Sequence, residues 1–374
     1  MMLLMGTVYT WSILRVEVEN VYNTNTLQSG LPYMTSLFFY ALSMMITGRL
    51  LKQKNTQKIA IIGVLLISLG WLLASQSGTL ISLTLSYGVL IGIGVGMVYG
   101  IPIFIINQRF KKSGFYAGIV LSGFGASPLL TAPIVHLWIQ NVGLQQTFLN
   151  MSMISIIILL PLTFLLKYSQ DSISTHPSLT VKPFSLKTFV LLYTMFLLAT
   201  TIGLTMIGLS YRIGVVNYGF NTNAVAMSVS AFALMNGLSR PLFGKIVDAK
   251  GFLYAAGLSI ILVNLATLIA VMNQGDNLLL YGISMGLYWF NLGAWLAMLP
   301  ASIKHYFGTH SYAKNYGLMF TSYGFGAILG TLFSGTVLDL FFSTRYLYFA
   351  VFINFSFLVI ISLFLKKHTI GNQT

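Results

Sequence analysis

The stretch "NGLSRPLFGKIVDAKG", residues 236 to 251, sets Arg240 inside a long apolar run, with Pro241 directly after it. A guanidinium is a permanent cation whose rigid fork of donors matches a carboxylate bidentately. At the centre of a membrane-spanning helix it costs about 3 kcal/mol or more, so its presence points to an anion that it holds. The competing reading is that Arg240, which stands close to Gly244, snorkels to the membrane surface. Further along, Lys245, Asp248 and Lys250 with Gly244 and Gly251 read as a turn whose carboxylate caps a helix or pairs with a lysine, a latch at one membrane face. Tyr9, Trp11, Tyr99, Trp289 and Trp295 are candidates to line an aromatic cavity, and fit interfacial anchoring equally well. His136, toward one end of its apolar run, reads as an interfacial histidine.

Other chemistries find no support. The acidic residues Glu17, Glu19, Asp171, Asp248, Asp276 and Asp339 fall in loops or near helix ends, so no proton relay is expected at the bilayer centre. There is no G-x-x-x-x-G-K-[ST] to cradle a phosphate, which leaves direct drive by a nucleotide unsupported. The histidines are scattered and cysteine is absent, so neither a clustered metal site nor a disulfide framework is expected. No catalytic triad stands out. The expectation is a protein without a cofactor that is not an enzyme.

The elements that must position these residues are membrane helices. The chain has 374 residues, of which 7% are charged and 56% hydrophobic, with a mean hydropathy of +0.83. A soluble domain carries about 25% charged residues. Apolar runs at approximately 1–15, 31–50, 58–76, 79–107, 114–140, 147–167, 188–211, 223–243, 252–272, 277–303, 314–338 and 345–365 predict twelve transmembrane helices in an all-α polytopic protein. The first run is short for a bilayer core of about 30 Å at about 1.5 Å per residue. It has neither the basic start nor the cleavage site of a signal peptide, and points instead to a misassigned start or a truncation.

The net charge of +14 is distributed by topology. Arg49, Lys52, Lys54, Lys58, Arg109, Lys111, Lys112, Lys167, Lys182, Lys187, Lys245, Lys250, Lys304, Lys314, Lys366 and Lys367 all fall in alternate connections, against Arg15, Arg212 and Arg345 on the other side. That bias predicts a multi-pass protein of the cell membrane with both termini in the cytoplasm, attracted to anionic lipid rather than to nucleic acid.

An internal duplication organises the chain. At an offset of about 200 residues "GFGA" recurs at Gly123–Ala126 and Gly324–Ala327, "GRLLKQKN" from Gly48 corresponds to "GKIVDAKG" from Gly244, and "QRFKKSG" to "HYFGTHSYAKNYG". The predicted organisation is a six-helix half at 1–167, a linker at 168–187 and a six-helix half at 188–374, with a site between the halves near the midplane. Gly88, Gly92, Gly96 and Gly100 give one helix a smooth face, answered by Gly114, Gly118 and Ser122; Gly92 and Gly96 are candidates for tight packing or for a sliding surface.

The patches "GTVYTWSIL", "GIGVGMVYGIP", "KKSGFYAGIVLSGFGA", "NGLSRPLFGKIVDAKG" and "YAKNYGLMFTSYGFGAILG" resemble the major facilitator superfamily and, within it, the oxalate:formate antiporter family. The resemblance implies the major facilitator fold, alternating access and secondary active transport of carboxylates, by a protein expected to be a monomer. In that family's oxalate carriers an arginine of helix 8 and a lysine of helix 11 grip the dianion among aromatic side chains. Arg240 matches the arginine, Tyr9 and Tyr99 match aromatic positions, and Trp295 falls within one residue of another. The lysine position falls on Tyr323, so the resemblance implies a small organic anion with one carboxylate rather than oxalate. In "GRLLKQKN" the family's usual Asp and second Gly are replaced by Lys52 and Asn55. The alternatives are export of lipophilic or cationic compounds, or a non-transporting sensor or decayed paralogue.

Overall fold

The computed structural model describes residues 1–51, 55–109, 113–166, 184–273, 275–308 and 312–371. Lys52, Lys54, Lys111, Lys112, Lys167, Asp171, His176, Pro177, Lys182 and Pro183, with most of the expected linker, lie outside them. Among the described residues there are helices and no β-strand.

Helix α1 spans residues 2–22 and tightens to a 3₁₀ turn at Gly6–Thr10. It stops at Asn23, which takes the left-handed conformation (φ 49°, ψ 51°) that an asparagine tolerates at a helix end. A short turn, Thr26–Ser29, is closed by a reciprocal cap between Asn25 and Gln28. Then follow α2 (Leu31–Leu50), α3 (Thr56–Ser75), α4 (80–109), α5 (113–142) and α6 (144–164). Gly143, at φ 78° and ψ 178°, is where α5 turns into α6. The remaining helices are α7 (Leu186–Arg212, continued by a π turn at Ile213–Asn217), α8 (Thr222–Lys250), α9 (Phe252–Asn273), α10 (Leu278–Phe307), α11 (Tyr312–Phe341) and α12 (Thr344–Gly371).

The sequence boundary of α1 needs correction. The apolar run is placed at 1–15, yet the helix continues past Arg15 through Glu17 and Glu19 to Tyr22. At about 1.5 Å per residue its length comes to roughly 31 Å, enough for a bilayer core. Its charges are tolerated because they are bonded within the bundle.

Seven stretches are long and apolar enough to cross a membrane by length and composition: 56–75, 80–106, 115–164, 186–217, 252–273, 312–341 and 344–368. Helices α1, α2, α8 and α10 are not among them. These are the helices that carry polar groups into the interior. Every residue of α10 from Asn291 through Ile303 is buried, including Asn291 and Ser302, and α8 buries Asn236, Ser239 and Arg240. In α12, by contrast, Phe349, Phe352, Ile353 and Phe357 point outward. Hydropathy alone under-reads helices that carry buried polar and charged groups.

Close helix approaches are made by glycine. Gly88, Gly92 and Gly96 seat α4 on Thr35, Ser36 and Tyr40 of α2, so this smooth face packs two helices of the first six against each other. Contacts between the first six helices and the last six lie elsewhere. A Cβ on Gly118 of α5 would come within 2.6 Å of the Arg240 carbonyl of α8, and one on Gly324 of α11 within 2.9 Å of Ala41 Cβ of α2. A Cβ on Gly92 would stand 2.5 Å from the Ser36 carbonyl oxygen and 3.1 Å from Phe39 Cβ. Gly92→Val is therefore expected to cost about 1–3 kcal/mol by overpacking. Gly257→Ala, with nothing within 4 Å of the new methyl, is expected to stay within about 0.5 kcal/mol of wild type. Thermal unfolding of the two variants in detergent checks the difference.

Candidate functional site

Arg240 is fully buried, at 0% exposure, on the side of α8 that meets α5. Its Nη1 donates to the Leu121 carbonyl at 2.8 Å, while Nε and Nη2 both donate to Asn236 Oδ1, at 3.3 and 3.1 Å. The guanidinium carbon lies 5.9 Å from the centre of the Phe124 ring. Gly125 makes the approach possible, since a Cβ there would come within 2.8 Å of Arg240 Nε. These bonds tie Arg240 inward, and the snorkelling alternative is excluded.

All these partners are neutral. Among the described residues the ion pairs are Arg15–Glu19 and Arg212–Glu19, and neither involves Arg240. Of the five N–H groups of a guanidinium, the three bonds above use three. The other two have no carbonyl or carboxylate acceptor among the described residues. A buried cation with neutral partners favours an anion beside it, because charge in a low-dielectric interior is costly until it is compensated.

Aromatic rings enclose this charge. The hydroxyls of Tyr9 and Tyr323 share a hydrogen bond of 2.9 Å that joins α1 to α11. Tyr9 meets Phe124 edge-on at 5.3 Å and Trp289 at 6.2 Å. Tyr40 of α2 is the hub, 5.2 Å from Tyr99 and Phe320, 5.6 Å from Tyr323 and 5.9 Å from Phe124. All of these rings are buried. Two further polar atoms, Trp289 Nε1 and Tyr316 Oη, are buried without a hydrogen-bond partner. The enclosure thus has spare donors beside its one charge, a composition that suits an acceptor-rich ligand.

The structure brings Tyr9, Tyr99, Tyr323 and Arg240 together, and leaves Trp295 out. The Trp295 ring packs against Phe196 of α7 and Phe252 of α9, and Trp289 occupies the place at the cluster. Positions 289 and 295 are six residues apart, about 120° around the helix, and so face different neighbours. Asn236, Gly125, Tyr40, Phe124 and Phe320 were not singled out from sequence. Asn236 carried a signal as the residue one turn before Arg240 on the same face, and Phe124 and Gly125 as members of the repeated "GFGA".

Two sets of bonds join the first six helices to the last six, on either side of the cluster. At the end holding Lys250, Asp248 Oδ2 accepts from the Phe115 backbone N–H at 3.2 Å, so the carboxylate of α8 caps the start of α5. Gly251, at φ 84°, ends α8 just beyond, and Gly244 is buried within the same last turns. Lys245 is exposed there, and Lys250 donates to the Tyr254 hydroxyl at 3.3 Å. At the other end Arg15, 1% exposed, donates to Ser29 Oγ at 3.0 Å, to the Gly208 carbonyl of α7 at 3.2 Å and to the Thr26 carbonyl. Glu19 accepts from Arg212 Nε with both oxygens, at 3.0 and 3.1 Å. Asp339 of α11 accepts from the backbone N–H groups of Thr26 and Leu27, each at 2.9 Å. His136 is buried here too, its Nε2 2.9 Å from Asn223 Oδ1 of α8.

A multi-pass helical bundle with an enclosed, uncompensated cation and cross-bonds at both ends has the build of a membrane transporter. The chain belongs to the Major Facilitator Superfamily, whose family model matches residues 1–301, and so stands among transporters rather than enzymes. It is similar to the "Uncharacterized MFS-type transporter YhjX" of Escherichia coli (strain K12), 24% identical over 334 residues that cover 87% of this chain and 82% of that protein. It is also similar to the "Uncharacterized 38 kDa protein in 23S RNA operon" of Thermoproteus tenax, 23% identical over 334 residues, 88% of this chain and 83% of that protein. A shorter likeness, 34% over 98 residues, joins 26% of this chain to 20% of "Monocarboxylate transporter 12" of Rattus norvegicus.

Proposed function

We propose that this transporter carries a small monocarboxylate by alternating access, binding it at Arg240 between two six-helix halves, 1–167 and 188–374, joined by 168–187. The observation that carries the reading is the buried guanidinium whose bonds all go to neutral groups. One fixed charge balances one carboxylate, and a second carboxylate would enter the aromatic enclosure without a partner. Tyr323 offers a hydroxyl to the ligand in place of a second cation, and the local likeness to monocarboxylate transporters supports the same class. The lysine and arginine bias puts the end holding Asp248 and Lys250, and both termini, in the cytoplasm. Access from that side breaks the bond of Asp248 to α5; access from the other breaks the Glu19–Arg212 pair and the Asp339 clamp.

Uptake of labelled acids into proteoliposomes tests the substrate class. Formate, acetate or lactate is expected to be preferred over oxalate by about tenfold or more, since each 1.4 kcal/mol of uncompensated charge is about a factor of ten. Tyr323→Lys supplies a second cation and is expected to move the preference toward oxalate. Oxalate preferred by the wild type, with Tyr323→Lys without effect, would overturn the monoanion assignment.

A further inference from the structure

Asn236 is as deeply buried as Arg240 and lies one turn before it on α8. Its side chain is fixed at both ends. Nδ2 donates to the Trp289 carbonyl of α10 at 2.7 Å, and this orients the amide so that Oδ1 accepts from Nε and Nη2 of Arg240. The place is built for a group with a donor at one end and an acceptor at the other. An ionised aspartate would fit the guanidinium but would set a second oxygen against the Trp289 carbonyl. A protonated aspartic acid would reproduce both bonds of the amide.

We propose that Asn236 is the positioning residue of this site: its amide takes the place of a counter-ion, aiming the Arg240 guanidinium without neutralising it, so that the site keeps one positive charge for a carboxylate whatever the pH. The proposal rests on the anion-binding reading of Arg240. Among the described residues, the titratable groups of the aromatic enclosure are the phenols of Tyr9 on α1, Tyr40 on α2, Tyr99 on α4 and Tyr316 and Tyr323 on α11. Helices α5 and α10 present the Leu121 carbonyl, Phe124 and Trp289. Phenols ionise near pH 10 in water, and none of these groups changes charge near neutrality. The charge of the site is thus set at position 236.

The test is the pH profile of formate uptake into proteoliposomes by Asn236→Asp, taken as a ratio to wild type at each pH. With aspartate ionised the site is neutralised, and uptake is expected to fall about tenfold or more at about pH 8. A carboxylate bonded to a guanidinium keeps its charge well below the usual carboxylate range, so the ratio is expected to stay low down to about pH 5.5, where formate itself is still ionised. A ratio near one at every pH overturns the role of Asn236. Asn236→Leu removes the acceptor without adding charge and separates neutralisation from a structural loss: it is expected to raise KM for formate by about tenfold, with less change in kcat and no new pH dependence, and an unchanged KM overturns the proposal. These failures differ from failure of the underlying reading, which would show as formate uptake that survives Arg240→Gln.

Discussion

Arg240→Gln is expected to reduce carboxylate uptake by about a hundredfold or more, the cost of leaving a buried anion without its counter-charge. Glutamine can still reach one acceptor, but it brings no charge to the enclosure formed by Tyr9, Tyr40, Phe124 and Tyr323. Arg240→Lys keeps the charge and loses the fork that bonds Asn236 Oδ1 through Nε and Nη2, so an intermediate loss of about tenfold is expected. Folding stability is expected to move the other way. Arg240 has no ion-pair partner among the described residues, so the glutamine variant should unfold at an equal or higher temperature than wild type. Initial rates in proteoliposomes and thermal unfolding of the same preparations separate the two effects. A glutamine variant that still carries formate at the wild-type rate would refute the binding role.

Glu19→Ala is expected to have the largest effect on conformation. Glu19 stands between two cations, accepting from Arg212 Nε at 3.0 Å and lying 3.7 Å from Arg15 Nε. It also accepts from Ser29 Oγ at 2.8 Å. Only 13% of its side chain is exposed, and 1% of that of Arg15, so solvent screens the group weakly. Breaking such a buried network by removing the shared partner costs about 3 kcal/mol or more and leaves two arginines facing each other. The contacts of α1 with α7 are then expected to part. In a chain with no native cysteine, Leu204→Cys reports this directly. Leu204 is buried, and its carbonyl accepts from the Tyr33 hydroxyl of α2 at 3.3 Å. A water-soluble thiol reagent should label that cysteine about ten times faster or more when Glu19→Ala is added; an unchanged rate would show that the network does not hold this end closed.

What the sequence made legible, and what it hid, follows from the range of the interactions. A cation in an apolar run is conspicuous because water is the cheapest place for it, and Arg240 was found on that ground. Tyr9 and Tyr99 were candidates by residue type and by the family resemblance, Tyr323 by the resemblance alone, and the 2.9 Å bond between Tyr9 and Tyr323 joins residues 314 apart in the chain. No local pattern announces such a pair. Trp295 and Trp289 both sit on α10, and only the facing of each turn in the bundle decides which one meets Tyr9. The length of α1 was misread for a related reason. Charge ends a membrane helix when the charge is solvated, whereas Arg15 and Glu19 are bonded to α7 and to the turn before α2. Gly92 and Gly96 were visible as a smooth stripe, but the stripe itself does not say which helix covers it.

Ligand protection of the purified protein tests the role of Arg240 most directly, since a ligand that binds only the folded state raises the unfolding temperature as its concentration rises above Kd. Formate, acetate or lactate is expected to raise the midpoint of the wild type and to leave Arg240→Gln unmoved, while lipophilic cations leave both where they are. Protection of the wild type by a lipophilic cation, strengthened in Arg240→Gln and matched by no monocarboxylate, would contradict the anion site and favour an exporter of cations.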